Sequence, residues 1–398
     1  MKNSKIKSVK ARQILDSRGL PTIEVELATE SGSFCASVPS GTSTGKNEAK
    51  ELPAKTAVQN VEKILSPKLK NKEVIKQKEI DDLMISLDGT EDKSKLGANA
   101  ILGMSLAVCR AGAAAKGLPL YKYISSEIQS QKVFPKPCLL MIEGGVHAGN
   151  DLDFQEFMIM PQEKSFCDNL EIGRKIYQTL KKILEKKWGK SSINVGMEGG
   201  FTPNLKFSEQ ALSLITEAIE RAGYKNKVDI VLDCAASQFY KKDSYQTNMG
   251  MFTKEGFIKY YSDLISKYPI LGLEDPFSED DWQSWKKFNS KALLIGDDLL
   301  TTNIKRVKKA VAEKACGGMI IKPNQIGTVS ETLEVIKYAQ ENDFKIFVKH
   351  RSGETNDSFI ADLALGVGAD GIMSGAPARG ERLAKYNRLL KIEEELYE

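Results

Sequence analysis

The strongest constraint on the fold is an alternation that begins at residue 138 and continues to the end of the chain. Short apolar runs alternate there with longer stretches of helical periodicity. This pattern predicts parallel strands covered by helices, and eight strand candidates favour a closed barrel over an open sheet. The candidates are residues 138–142, 155–160, 229–232, 270–273, 293–295, 319–321, 346–348 and 371–372.

The predicted helices lie between and after these strands. No clear helix separates the first two strand candidates, so we expect an irregular start instead of a strict βα repeat. The predicted fold class is therefore α/β, a (β/α)8 barrel with irregular first strands. The helical stretches lie near residues 166–188, 208–223, 254–267, 302–314, 328–341, 355–366 and 380–396.

The first part of the chain has a different texture, with strands followed by helices. Residues 22–28 and 33–38 read as strands, and residues 54–66, 73–86 and 97–116 as helices. The last helix is apolar on nearly all sides and should be buried. We therefore predict an α+β domain over residues 1–130 and a barrel domain over residues 131–398.

Composition argues against several classes of protein. Only two histidines are present in 398 residues, and the six cysteines never approach C-x-x-C spacing, so a histidine-rich or thiolate zinc site is not expected. No apolar run approaches the ~20 residues that span a bilayer, and no secretory signal is apparent. The net charge of +4 comes without a basic stripe. We expect a cytoplasmic protein without membrane or nucleic-acid partners.

Ionisable residues stand where the later strand candidates end. The carboxyl ends of the strands in a parallel barrel form one mouth, and active sites lie at that mouth. Three carboxylates, a lysine, a histidine and an arginine should therefore converge there. They are Asp233, Glu274, Asp297, Lys322, His350 and Arg351.

These residue types indicate one kind of chemistry. Clustered carboxylates persist at neutral pH by binding a cation or by protonation, and all-oxygen ligands favour Mg²⁺ or Mn²⁺. Near such an ion Lys322 can have a lowered pKa and act as a base. A metal-bound acid and a base suit removal of a proton alpha to a carboxylate. Arg351, with Ser352 and Gly353, could hold a phosphate.

Ordinary explanations exist for the same residues. A single acid at a strand end is usually a helix cap or part of a salt bridge, and spacing alone does not choose between Asp297 and Asp298. A lone lysine such as Lys322 is more often structural. The loop at residues 39–47, PSGTSTGKN, fails the P-loop pattern, and we interpret it as a lid, with an ordinary flexible loop as the alternative.

Motifs along nearly the whole chain resemble those of the enolase family, from about Val9 to Glu395. The resemblance implies an α+β domain followed by an irregular eight-stranded barrel, and glycolytic phosphopyruvate hydratase activity. The PNQIGT and HAGNDL forms are similar to those of archaeal-type enolases. The motifs are ARQILDSRG, VPSGTSTG, GGVHAGNDL, QEFMIMP, EGGFTPN, EDPFSEDDW, GDDLLTTN, IKPNQIGT, HRSGETNDSFIADLA, GAPARGERLAKYN and KIEEEL.

The resemblance also implies roles for particular residues. Lys322 would take the C2 proton of 2-phosphoglycerate, and Glu198, with Glu156 beside it, would protonate the leaving hydroxyl. The family's two Mg²⁺ would be held by Asp233, Glu274 and Asp297 and, for the second ion, by Ser43 in the lid. Substrate contacts would come from His147, Glu156, Ser43, His350, Arg351 and Ser352. The family is dimeric or octameric, with the Arg12 region facing the partner's KIEEEL segment.

Several positions depart from the family pattern. Where the family has a lysine that contacts the substrate carboxylate, this chain has Met373, and loss of one such donor typically costs ~10²–10³ in rate. Lys349 replaces a serine, and it should point away from the pocket if His350 points inward, unless the strand end bends. The other departures are Leu20, Glu143, Met197 and Gln238.

These departures leave three hypotheses open. The first is a working Mg²⁺-dependent enolase that interconverts 2-phosphoglycerate and phosphoenolpyruvate. The second is an enolase-fold enzyme with an altered acid substrate, motivated by Met373 and Glu143. The third is a weakly active or non-catalytic paralogue with a binding role, against which the intact carboxylate triad argues.

Overall fold

An antiparallel sheet opens the chain in the computed structural model, which describes residues 4–42, 45–130 and 133–397. Ile23, Val25 and Leu27 on its middle strand are fully buried, following the two-residue period of a strand. The first strand was not predicted from the sequence, because exposed polar residues hide its pattern. The strands, in spatial order, are β1 (Ser8–Leu15), β2 (Pro21–Thr29) and β3 (Gly32–Ser37).

Helices cover this sheet. A π-helical turn, Val61–Leu65, joins the first two helices into one continuous element, as predicted for residues 54–66. The helix that follows Pro119 was not predicted. Their bounds are α1 (Ala54–Asn60), α2 (Ser66–Leu69), α3 (Gln77–Asp88), α4 (Ala98–Lys116) and α5 (Leu120–Ile128).

Helix α4 is the core helix of this part of the chain, and its predicted burial is confirmed. Gly103 lets it approach the sheet, because a Cβ there would lie 2.7 Å from Cγ2 of Val25. Among the described residues, α4 alone is long and apolar enough to cross a membrane. Its apolar window is 83% buried within the protein, and a buried core helix passes the same test of length and composition.

A closed barrel of eight strands follows within the described residues, which confirms the predicted fold. The spatial order is β10-β11-β12-β13-β14-β4-β5-β6. The strands are β4 (Lys136–Glu143), β5 (Glu156–Pro161), β6 (Val228–Asp233), β10 (Ile270–Glu274), β11 (Leu293–Gly296), β12 (Gly318–Ile321), β13 (Lys345–Lys349) and β14 (Gly371–Met373). A small antiparallel sheet, not predicted, consists of β7 (Tyr240–Lys241), β8 (Ser244–Thr247) and β9 (Gly250–Phe252).

Helices surround the barrel at the predicted places. The short helices α9 and α11 were not predicted as separate elements. The bounds are α6 (Phe166–Trp188), α7 (Ser208–Arg221), α8 (Lys254–Lys267), α9 (Trp282–Lys287), α10 (Ile304–Glu313), α11 (Pro323–Ile326), α12 (Val329–Glu341), α13 (Phe359–Gly366) and α14 (Gly380–Tyr397).

Strand β5 runs against both of its neighbours, so the predicted irregular start of the barrel is confirmed. The other seven described barrel strands are mutually parallel where they pair. Their carboxyl ends meet at one mouth, whereas β5 reaches that mouth with its first residue, Glu156. The inverted strand therefore supplies an acid to the mouth from its amino end.

The first part of the chain is fastened to the barrel close to this mouth. The Arg110 guanidinium on α4 donates two hydrogen bonds to the Asp357 carboxylate, at 2.7 and 2.6 Å. Ser40 and Gly353 also exchange backbone hydrogen bonds, which holds the described start of the loop, residues 39–42, against the barrel. These contacts join the first part of the chain to the barrel near its mouth.

Candidate active site

Four carboxylates form a row across four adjacent strands at the mouth. In register, Glu143 of β4 pairs with Glu156, Glu156 pairs with Asp233, and Asp233 pairs with Glu274. All four residues are buried. Like charges at such short spacing must be neutralised by protons or by a cation.

Lys349 supplies a cation to this row. Its buried Nζ lies 2.7 Å from an oxygen of Asp233, 2.8 Å from one of Glu274 and 2.9 Å from one of Glu156. The expectation that Lys349 points away from the pocket was wrong. β13 ends at Lys349, so strand alternation does not extend to His350, whose backbone N–H donates to Met373 O, and both side chains turn inward.

Protonation also reduces the charge of the row. Burial raises the pKa of Glu156 well above its usual value, although the Lys349 ammonium opposes that change. Burial, together with the charge of Asp233, likewise raises the pKa of Glu274, again against the effect of Lys349. The row is thus held by one ammonium and by retained protons, the two means by which a carboxylate cluster persists.

Asp297 does not belong to this row and binds other side chains. One of its oxygens accepts a hydrogen bond from the Lys322 ammonium, and the other accepts from the Gln325 amide at 2.8 Å. Burial alone would lower the pKa of Lys322, but the Asp297 carboxylate outweighs burial and the pKa is raised. Lys322 is therefore an ammonium at neutral pH in this arrangement, contrary to the lowered pKa expected beside a divalent ion.

Among the described residues, two groups of histidine or carboxylate side chains have ligand atoms close enough to share an ion. One is Asp275, Asp297 and Asp298, and the other is His147, Glu156 and Glu198, with all atoms of a group within 4.8 Å of one another. Asp275 accepts hydrogen bonds from the backbone N–H groups of Asp297 and Asp298, at 2.9 and 2.7 Å. Burial, followed by the charge of Asp297, raises the pKa of Asp298 to about 8.

Glu198 lies between the two histidines of the chain. His147 Nδ1 is 3.5 Å from one of its oxygens, and His350 Nε2 is 3.3 Å from the other. Arg382 donates to His350 Nδ1 at 2.6 Å, and because a guanidinium cannot accept, the ring proton of His350 must be on Nε2. Burial lowers the pKa of His350 to about 3, so the imidazole is neutral and its Nε2–H faces Glu198.

Glu143 supports the segment that carries Glu198. Its Oε1 accepts hydrogen bonds from the backbone N–H groups of Glu198 and Gly200, both at 2.8 Å. Its other oxygen packs against Gly196, where a Cβ would lie 1.9 Å away. Burial, followed by the charge of Glu198, raises the pKa of Glu143 to about 8.

The residues predicted for the phosphate side already have partners within the chain. Arg351 donates to the Glu48 carboxylate at 2.8 Å and to Asn324 at 3.3 Å. The Ser352 hydroxyl accepts from the Thr42 backbone N–H at 2.7 Å, which joins the loop at residues 39–47 to the mouth. Ser43, predicted as a ligand from the same loop, lies outside the described residues.

A small cavity of about 30 Å³ at the mouth brings most of the predicted site together. Glu274 is not among the described residues that line this cavity, but its carboxylate accepts a hydrogen bond from Lys349, which does line it. Glu48, Gln155 and Asp275 also line it and were not predicted as site residues, although Gln155 and Asp275 lie within two of the motifs given above. The predicted residues that line it are His147, Glu156, Glu198, Asp233, Asp297, Lys322, His350, Arg351 and Ser352.

Comparisons with known proteins cover almost the entire chain. Residues 6–124 match the family described as "Enolase, N-terminal domain", and residues 131–398 match "Enolase, C-terminal TIM barrel domain". The chain belongs to the enolase family. It is 49% identical to "Enolase" of Mastigamoeba balamuthi over 423 aligned residues, which cover 99% of this chain and 96% of that one. It is 48% identical to "Enolase 1" of Entamoeba histolytica over 420 aligned residues, covering 98% and 96%.

Enolase membership confirms the resemblance read from the motifs and the two-part architecture implied by it. The sequence identity of 49% and 48% to proteins named enolase, over almost the full chain, supports carbon–oxygen lyase activity, that of a phosphopyruvate hydratase. Within this enolase-family chain, Met373 is fully buried at the end of β14 and pairs in register with Lys349. Lys349 and Met373 are thus neighbours on adjacent strands.

Proposed function

We propose that the chain interconverts 2-phosphoglycerate and phosphoenolpyruvate, in glycolysis and gluconeogenesis. The main support for this proposal is that Lys322, Glu156 and Glu198 line the same cavity. The reaction takes a proton from C2 and the hydroxyl from C3, and yields a C2=C3 double bond and water. One amine and a pair of carboxyls are the groups that this chemistry needs.

The proton positions in the cavity fit the hydration direction. Lys322 starts as an ammonium beside Asp297 and would deliver its proton to C2 of phosphoenolpyruvate. Burial raises the pKa of Glu198, but His350, His147 and the charge of Arg382 act against burial and the pKa is lowered. Because His350 is neutral, it favours the carboxylate through its Nε2–H and not through a charge, and that carboxylate is available to take a proton from water. Dehydration would begin with both groups in the opposite state. Glu156, whose pKa is raised, would hold the proton of the pair.

We propose that the phosphate lies beside His350, Arg351 and Ser352. A phosphate entering there would compete with Glu48 for the Arg351 guanidinium, which can donate two charge-assisted hydrogen bonds to a phosphate as it does to Glu48. His147 would contact the substrate from its loop. Ser43 stays a predicted substrate and metal ligand.

Two Mg²⁺ per site, with Mn²⁺ as an alternative, stay a prediction based on the oxygen-rich donors and on the family. The residues proposed for the first ion do not fit a common ion as they stand. Asp233 and Glu274 surround the Lys349 ammonium, whereas Asp297 bonds to Lys322 and Gln325. The proposed proton transfers therefore involve no metal ion.

Further properties stay predictions as well. Assembly as a dimer or octamer is what the family implies, with Arg12 near the partner; within this chain Arg12 already pairs with Glu24 and Glu26. The boundary between residues 130 and 131, the archaeal-type form and a cytoplasmic location are proposed on the sequence patterns given above.

The proposal is tested by following phosphoenolpyruvate absorbance after addition of 2-phosphoglycerate with saturating Mg²⁺. The wild type should form product, and Lys322→Ala should lower kcat by about 10²–10⁴-fold because the proton carrier at C2 is lost. Lys291→Ala, which changes an exposed lysine, should leave the rate unchanged. Absence of product with the wild type would contradict the proposal and favour a non-catalytic paralogue with a binding role.

A second candidate is an enolase-fold enzyme for a different acid. Met373 favours it, because a fully buried methionine offers neither charge nor a hydrogen-bond donor to a substrate carboxylate. A phosphorylated analogue with a neutral group in place of the carboxylate should then give the higher kcat/KM. A preference for 2-phosphoglycerate would remove this candidate.

A further inference from the structure

Lys349 is placed as an ion would be placed, at the meeting point of several carboxylates. Its ammonium nitrogen contacts oxygens of Glu156, Asp233 and Glu274 at 2.7–2.9 Å. These acids come from β5, β6 and β10, which lie side by side, whereas β13 lies elsewhere in the ring of strands. The lysine side chain therefore extends across the interior of the mouth to reach them.

A divalent ion using Asp233 and Glu274 would need the same space. Mg²⁺ binds carboxylate oxygens at about 2.1 Å, and it would have to lie between the oxygens that now surround Nζ. Two cations cannot share that space, because they would overlap and repel each other. Displacing the ammonium would also leave the buried charge of Lys349 without its three carboxylate partners, which is costly.

The resemblance to the family supplies a second argument. It implies a serine at the position of Lys349 and a lysine at the position of Met373, so that this chain would have gained one lysine where it lost another. The two positions pair in register on β13 and β14 and are thus direct neighbours. Lysines at both positions would bring two buried ammonium groups close together, and the methionine avoids that repulsion.

We propose that Lys349 is a built-in cation that takes the place of the divalent ion at Asp233 and Glu274, so that this position binds no metal. The inference rests on the proposed role of Asp233 and Glu274 as family metal ligands, but it does not depend on turnover. It makes Lys349 a positioning residue, which holds the acidic row in place.

The test is a titration of the protein with Mn²⁺ in the absence of substrate, followed by the electron paramagnetic resonance signal of free Mn²⁺. Lys349→Ser should bind one more Mn²⁺ per chain than the wild type, at least tenfold more tightly than any wild-type binding at this position. Lys345→Ser, at the exposed start of β13, should match the wild type. Equal number and affinity in the wild type and in Lys349→Ser would overturn the proposal.

A second variant keeps the proposal falsifiable if Lys349→Ser does not fold. In the wild-type background, Asp233→Asn should leave Mn²⁺ affinity within twofold, because Asp233 binds the ammonium and not the metal. A tenfold or larger loss of affinity would overturn the proposal. Because the ions are counted without substrate, failure of this inference is distinct from failure of the proposed reaction, which is measured as product formation.

Discussion

Glu143 carries a buried carboxyl that supports its surroundings. One oxygen accepts the backbone N–H groups of Glu198 and Gly200, whereas the other packs against Gly196. A neutral carboxyl makes the same two hydrogen bonds as a carboxylate without placing a second charge beside Glu198. This explains how a second acid is tolerated beside Glu198.

Replacing Glu143 by glutamine should change how stability depends on pH. Burial, followed by Glu198, raises the pKa of Glu143 from 4.5 in the unfolded chain to about 8. Its contribution to folding is therefore fully present below pH about 4.5 and is lost as the pH rises towards 8. Glu143→Gln should unfold with a similar free energy at pH 5, and with a higher one at pH 8, by on the order of a few kcal/mol.

Urea unfolding at the two pH values measures this effect. Glu334→Gln, which changes an exposed acid on α12, is the matched control and should follow the wild type at both pH values. Parallel pH dependence in the wild type and in Glu143→Gln would contradict the assignment of a neutral Glu143.

The limits of sequence reasoning are clearest for Lys349. The identities of the ionisable residues at the mouth could be predicted, because strand ends in a barrel converge. The direction of the Lys349 side chain could not be predicted from that of His350. Side chains alternate only within a strand, and His350 follows the end of β13. The partners of Arg351 and Asp297 also depend on side chains brought from distant parts of the chain.

At the scale of elements, the register of β13 and β14 predicts that positions 349 and 373 act together. Met373→Lys alone should give no gain in product formation, because it places a second ammonium beside Lys349. The exchange variant Lys349→Ser with Met373→Lys should raise kcat/KM for 2-phosphoglycerate at least tenfold over either single variant. A double-mutant cycle measures this coupling.

Steady-state kinetics with Mg²⁺ provide the four values of that cycle. Lys345→Ser combined with Met373→Lys is the control, since Lys345 is on the same strand but is exposed. Additive effects of the two active-site changes would contradict the coupling of these neighbouring strands.

Helices and strands of the barrel were predictable because each buried strand is a short apolar run and each helix has one apolar face. β1 was missed because polar residues alternate along it on an exposed face. The reversed direction of β5 follows from the absence of a helix between the first two strands. The sequence did not predict that Glu156 reaches the mouth from the start of β5, because the direction of that strand is known only from the fold.

At the scale of the whole molecule, the Arg110–Asp357 pair ties α4 to the barrel. Asp357 also accepts the backbone N–H groups of Ser37 and Phe359, at 3.0 and 2.8 Å. Asp357→Asn should lower the free energy of unfolding by about 3 kcal/mol, because it leaves a largely buried guanidinium without its counter-charge. Urea unfolding measures the loss, with Asp263→Asn at an exposed position as the control. Equal stability of the two variants would contradict this role.

The order of the strands also places most acidic and most basic residues on different sides of the mouth. The acids lie at the ends of β4, β5, β6, β10 and β11, which are consecutive in the ring, and the lysines and the arginine follow β12 and β13. The rim therefore has acids along one arc, into which the Lys349 ammonium reaches, and Lys322 and Arg351 on the other side. An approaching anion with a phosphate at one end would be turned by the field of these charges before any contact forms, so that orientation precedes binding.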